Sequence, residues 1–208
     1  MAISPDCKTL AAAIEKGKII VWNYKECFTN GKYTGPKHEG ITLYEELGSR
    51  IQILGYNHKG DILASGDRHG NVNIWDVKKR TLINRLSGHN ARISDVKFSP
   101  DDKILATASF DGTILLWETN NYNLQPIVLK DHESWVYTLA FSSDGKSIVT
   151  GCVDSKIKEW DVENSVMANE LRTKIDRNMT HKEWENFVGK DIEYKKLIDE
   201  LPDEEQND

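Results

Sequence analysis

Cysteine is scarce in this chain, with three in 208 residues, and Cys7, Cys27 and Cys152 share no paired spacing. That pattern excludes a disulfide framework and gives no zinc motif, and it predicts a reducing, cytoplasmic setting. Long hydrophobic runs are missing too. No apolar stretch approaches the roughly eighteen residues that a membrane-crossing helix needs, so no membrane partner is expected. Ahead of the first apolar stretch there is no charged region and no small-residue cleavage site, so no signal peptide is read. Metal-ligand spacings, phosphate-cradling glycine loops and paired acidic motifs are absent as well. The expectations are therefore no cofactor, no metal and no catalytic residue.

What net charge there is sits at one end. The chain carries a net charge of -6, and residues 191–208 alone hold eight Asp or Glu against Lys195 and Lys196, so the body is neutral. A neutral body lacks the basic footprint of a nucleic-acid binder. The tail reads as a solvated terminus. With 38% hydrophobic and 29% charged residues, the rest has the composition of an ordinary globular protein.

Repetition is what the chain has in quantity. Trp22, Trp75, Trp117 and Trp160 stand 53, 42 and 43 residues apart. Each closes a short apolar run, and in the clearest unit, residues 89–118, that run (Ile114, Leu115, Leu116) faces a second one (Ile104, Leu105, Ala106) across Asp111-Gly112, the signature of a β-hairpin. Two endings are Trp-Asp, at Trp75-Asp76 and Trp160-Asp161. A period of about 40–45 residues ending in Trp-Asp marks a propeller blade of four strands. Over residues 1–161 the sequence thus resembles the WD-repeat β-propeller family.

The predicted fold class is all-β, a partial propeller of about four blades and about fourteen strands with a short α-helical C-terminal extension. The blades run over 1–23 with 41–47, 48–86, 90–130 and 133–161, the last with three strands. A polar insertion near residues 25–40 explains the wide first spacing. In the innermost strand of the third blade, Ile93, Val96 and Phe98 are placed on one face, with Asp95 and Lys97 on the other. After Asp161 the apolar period becomes helical, which predicts helices over 165–175 and, behind a Thr180/Glu183 capping box, over 181–188. The extension over 162–190 also resembles the ends of many bacterial WD-repeat proteins. The resemblance implies seven blades in a closed ring, so this chain reads as the C-terminal part of a larger propeller, or as a half completed by a second copy.

The resemblance further implies a hydrogen-bonded chain within each blade, carried here by His89, Ser109, Asp111 and Trp117. A nucleophilic triad uses the same residue types, but the repeat already accounts for these positions. The fourth blade offers His132, Cys152, Asp154 and Trp160. A Cys152/His132 dyad is the enzymatic alternative, and a buried inert thiol is preferred. For binding, the resemblance points to one rim of the ring, where the matching positions are Arg50, Gln52 and Arg68, then Arg92, Ser94 and Phe110, then Trp135, Tyr137 and Val153. Arg, Trp and Tyr are the side chains enriched in binding hot spots. The expected function is a non-enzymatic scaffold for a protein or peptide partner, with a regulatory segment of a bacterial signalling protein as the alternative.

Overall fold

The structure is a computed structural model of the chain, and it describes residues 1–14, 17–24, 28–29, 32–33, 40–44 and 49–162. Two compact units divide the chain, residues 1–160 and 161–208. Of the second, only Asp161 and Val162 are described, so the expected helices over 165–175 and 181–188 and the acidic tail lie outside the described residues. No described helix is long and apolar enough to cross a membrane.

The first unit is a row of four antiparallel blade sheets with one additional two-stranded hairpin. Blade one contains β1 (Ala2–Ile3), β2 (Thr9–Ala13), β3 (Ile19–Asn23) and, beyond the short β4/β5 hairpin (Phe28–Thr29, Lys32–Tyr33), β6 (Ile41–Tyr44). Blade two is β7 (Ile51–Tyr56), β8 (Ile62–Asp67), β9 (Val72–Asp76) and β10 (Thr81–Leu86). Blade three is β11 (Ile93–Phe98), β12 (Ile104–Ser109), β13 (Ile114–Glu118) and β14 (Ile127–Leu129). Blade four has three strands, β15 (Val136–Phe141), β16 (Ser147–Cys152) and β17 (Ile157–Asp161). This is the all-β partial propeller of four blades that the Trp period predicts.

Why these residues form blades is visible in the turns. Ser4-Pro-Asp6, Ser99-Pro-Asp101 and Ser142-Ser-Asp144 repeat one geometry between the first and second strands. In blade three, Ser99 Oγ donates to Asp101 Oδ1 (2.7 Å) and accepts from Ile104 N–H (2.9 Å), while Asp101 Oδ1 also takes the Lys103 N–H (3.1 Å). Side chains thus satisfy the backbone of a reversing chain. Hydrogen bonds from Ser99 and from the Lys103 N–H hold the Asp101 carboxyl down to about 2.

The core lies between blades. One cluster joins Ala64, Val72, Ile74 and Leu86 of blade two to Ile93, Val96, Leu105, Leu115 and Trp117 of blade three. Another joins Ala11, Ile19 and Val21 of blade one to Ile51, Leu54, Leu63 and Trp75 of blade two. Trp75 and Trp117 therefore each pack on the blade before their own. A fully buried Trp or Leu here contributes on the order of 2–3 kcal/mol through the apolar area it removes from water. Contact at this range demands a small residue at Gly55, where an added Cβ would stand 2.9 Å from Val96 O.

Asp95 lies on the face opposite Ile93 and Val96, as the sequence reading placed it, and that face is covered by blade four. Register shifts between Ile93 and Asp95, a bulge in the strand, and Asp95 is 5% exposed. Its Oδ2 accepts from Thr138 Oγ1 (2.9 Å) and from Leu139 N–H (3.1 Å) on blade four. A buried carboxylate with charge-assisted partners ties the two blades together.

Candidate functional site

The same backbone bond recurs at one rim of three blades. Arg68 N–H donates to Arg50 O (3.2 Å), Phe110 N–H to Arg92 O (2.9 Å) and Val153 N–H to Trp135 O (3.0 Å). Each bond pins the residue before the second turn to the residue that precedes the innermost strand. The two side chains of every pair consequently emerge together.

In blades three and four these pairs merge into one cluster. Phe110 and Trp135 stack with ring centroids 4.9 Å apart and planes 1° from parallel. Tyr137 meets Phe110 edge-on at 5.5 Å, and the Arg92 guanidinium lies 5.0 Å from the Phe110 centroid. Aromatic pairs of this geometry are worth about 0.5–1.5 kcal/mol beyond burial, and an exposed cation–π contact about 0.5–1 kcal/mol. The ledge is nevertheless open to solvent, with Trp135 51% and Tyr137 50% exposed. Val153 borders it, also exposed. Arg50 and Arg68 stand exposed on blade two.

Two of the nine rim candidates are engaged locally. Ser94 Oγ donates to Val136 O at 2.6 Å, bridging blades three and four. Gln52 Nε2 donates to Arg50 O at 3.2 Å.

The blade network differs from expectation at one residue. His89 Nδ1 lies 3.0 Å from Asp111 Oδ2, its Nε2 lies 2.9 Å from Thr107 Oγ1, and Trp117 Nε1 donates to the same hydroxyl at 3.0 Å. Thr107 therefore replaces Ser109 as the hydroxyl of the chain. Ser109 sits two residues on, on the same face of β12, and its Oγ donates to Ala91 O (3.1 Å) and accepts from Asp111 N–H (3.1 Å). The sequence signal that identifies Thr107 is a step of ten residues from hydroxyl to Trp. It recurs as Ser65 to Trp75 (2.9 Å) and Thr150 to Trp160 (2.8 Å).

Asp111 sets the electrostatics of that chain. Burial pushes its carboxyl up, but the bonds from His89, Thr113 and the Asn90 N–H more than offset this and hold it well below the usual carboxylate range. An ionised Asp111 favours the proton on Nδ1, so Thr107 donates to Nε2 and in turn receives the Trp117 N–H. In blade two, Asp67 occupies the place of Ser109 and caps its own turn through the N–H groups of His69 (2.7 Å) and Asn71 (3.0 Å).

Blade four repeats the network with one gap. His132 Nε2 lies 2.7 Å from Thr150 Oγ1, and burial, then the Lys158 ammonium, push this imidazole below its ordinary value. Cys152 is buried, and its Sγ donates to Ser134 O at 3.3 Å rather than to the imidazole. A thiolate–imidazole dyad is thus not formed.

Sheets, rim and networks together define a partial β-propeller, and two of its stretches match the WD40 repeat. Residues 80–118 and 125–161 match the sequence profile of the WD domain, G-beta repeat. The chain is 29% identical over 128 residues to the Protein LST8 homolog of Drosophila melanogaster, covering 58% of this chain and 37% of that protein. It is 36% identical over 78 residues to the human WD repeat and SOCS box-containing protein 1, covering 37% of this chain and 18% of that protein. Among solved structures, a chain of the mitotic checkpoint complex superposes with a TM-score of 0.65 at 27% identity, over 78% of this chain and 46% of that one. The chain spans well under half the length of these curated relatives. Both come from animals, so the expected bacterial source finds no support in them.

Proposed function

We propose that this chain is a non-enzymatic interaction module whose docking surface is the ledge formed by Arg92, Phe110, Trp135 and Tyr137. One observation carries the reading: half the surface of two large aromatic side chains is left in water at the end of a rigid hairpin array. Exposed aromatics with no core role are the groups from which hot spots are made. The arginines at 50, 68 and 92 add positive charge along the same rim, which suits a peptide segment carrying acidic and apolar side chains. The chemistry of the polar clusters supports the non-enzymatic side of the proposal, since the His, hydroxyl and Asp groups of blade three are consumed by structural bonds.

Panning a displayed peptide library on the protein, followed by calorimetry of recovered peptides, tests the assignment. Trp135→Ala is expected to weaken binding by about 2 kcal/mol or more, roughly thirtyfold. Peptides bound equally well by the Trp135→Ala and Arg92→Ala variants would place the docking surface elsewhere.

The outer faces of the end blades support a further part of the proposal, that the row is completed by additional blades or by a second copy. Strands β8 and β12 of the inner blades are buried along both faces after their first residue, whereas β16 alternates, with Val149 39% exposed, and Ile157 on β17 is 77% exposed.

A further inference from the structure

We propose that His132, Cys152 and Asp154 of blade four form a binding site for a divalent zinc-class metal ion. Comparison with blade three shows how the site arises. There the Nδ1 of His89 is saturated, with Asp111 Oδ2 at 3.0 Å and Thr113 Oγ1 at 3.1 Å. In blade four the residue matching Thr113 is Lys156 and the residue matching Ser109 is Cys152. Both changes act on one spot: a hydroxyl partner of the imidazole is removed, and a thiol is placed beside it.

The result is an imidazole with a free lone pair. His132 is 8% exposed, its Nε2 is committed to Thr150, and its Nδ1 is buried with no hydrogen-bond partner. Such a buried nitrogen is costly unless something occupies it. The imidazole, the Cys152 Sγ and an Asp154 carboxylate oxygen offer ligand atoms that all lie within 4.8 Å of one another. Around zinc, donors at about 2.0–2.3 Å stand roughly 3.5 Å apart, so the cluster closes on an ion with shifts of about 1 Å.

Ligand softness selects the metal. One thiolate, one imidazole and one carboxylate suit zinc, and disfavour calcium or magnesium, which take oxygen donors. Three protein ligands leave a fourth position for water on the partly exposed side of Asp154. Binding releases the Cys152 proton to solvent and breaks its bond to Ser134 O. The Lys156 ammonium, 3.6 Å from Asp154 Oδ2 with its side chain 57% exposed, turns away into water, at the small cost of a surface ion pair. The Thr150 bond to Nε2 meanwhile orients the ring, as second-sphere partners of ligating histidines do.

Cobalt(II) titration of the reduced, chelator-stripped full chain tests this site directly. The expected result is a one-to-one complex with thiolate-to-cobalt charge-transfer absorption in the near ultraviolet, displaced by zinc. Cys152→Ser, which restores the hydroxyl of blade three and so is built to fold, loses that band and binds zinc at least about tenfold more weakly. Asp154→Asn keeps the band and weakens zinc to a similar degree, and a Cys7→Ser/Cys27→Ser double variant behaves as the parent. Absence of the band in the parent, or its persistence in Cys152→Ser, overturns the proposal.

Discussion

At the scale of single residues, Thr107 carries more than its size suggests. Its hydroxyl receives the Trp117 N–H and meets the His89 Nε2, and both partners are buried. Thr107→Val keeps the shape and removes the oxygen, stranding an indole donor and an imidazole acceptor. The expected loss is about 2–4 kcal/mol by denaturant unfolding, against about 1 kcal/mol for Ser109→Ala, whose partners are backbone groups near solvent. A Ser109→Ala penalty equal to that of Thr107→Val would refute the assignment. Asp111, like Asp101, contributes to the pH dependence of the chain. Because its folded-state value lies below the ordinary 3.8, the unfolded chain takes up the proton first, and stability rises with pH in that range. Its contribution is complete above about pH 5 and is lost as pH falls through 3.8 toward the folded value. Asp111→Asn should therefore be less stable at neutral pH, yet show a shallower decline between pH 4 and 2. An unchanged acid limb would remove Asp111 from this role.

At the scale of elements, the hairpin turns decide which blades are strong. The turn position is glycine in blade two (Gly70, φ +92°) and blade three (Gly112, φ +84°), but Ser155 takes φ +62° in blade four. At Gly70 a Cβ would also stand 2.4 Å from His89 O, so strain and a backbone clash combine. Gly70→Ala is expected to cost about 2 kcal/mol or more, while Ser155→Gly should gain about 1 kcal/mol, both read as midpoint shifts in urea. A neutral Gly70→Ala would mean that the turn relaxes freely. These elements were legible from sequence because strands, turns and the closing Trp recur in register, so one readable unit indexes the others. The rim positions came from the family resemblance carried from blade to blade, and of those nine the structure brings Arg92, Phe110, Trp135 and Tyr137 into contact. One feature was hidden by a period of two. Thr107 and Ser109 lie on one face of β12, and alternation cannot choose between them. Asp95, placed opposite Ile93, Val96 and Phe98 by the sequence, does face blade four, but the bulge beside it and the burial of its carboxylate leave no mark in the sequence.

At the scale of the molecule, the deciding quantity is how much apolar surface each blade leaves for the next. Blades two and three have a neighbour on both sides: apolar clusters flank blade two, and blade three meets blade four through Ser94 and Asp95. Among the described residues blades one and four have one neighbour each, and exposed apolar side chains stand there: Ile3 and Ile14 on one end, Val149 and Ile157 on the other. Strand β17 additionally has no partner on its outer side among the described residues. Unpaired backbone on an edge is a template for another strand, and a self-complementary pair of such edges closes most simply as a two-fold dimer. Light scattering after size exclusion should accordingly give a mass near twice the 23.7 kDa of the chain, falling toward the monomer on dilution. Replacing Val149 and Ile157 together with Lys should shift that equilibrium to monomer without loss of β-structure by circular dichroism, because neither side chain belongs to an interblade cluster. If the parent stays monomeric at every concentration, the end faces are not a dimer interface, and further blades remain the completing element.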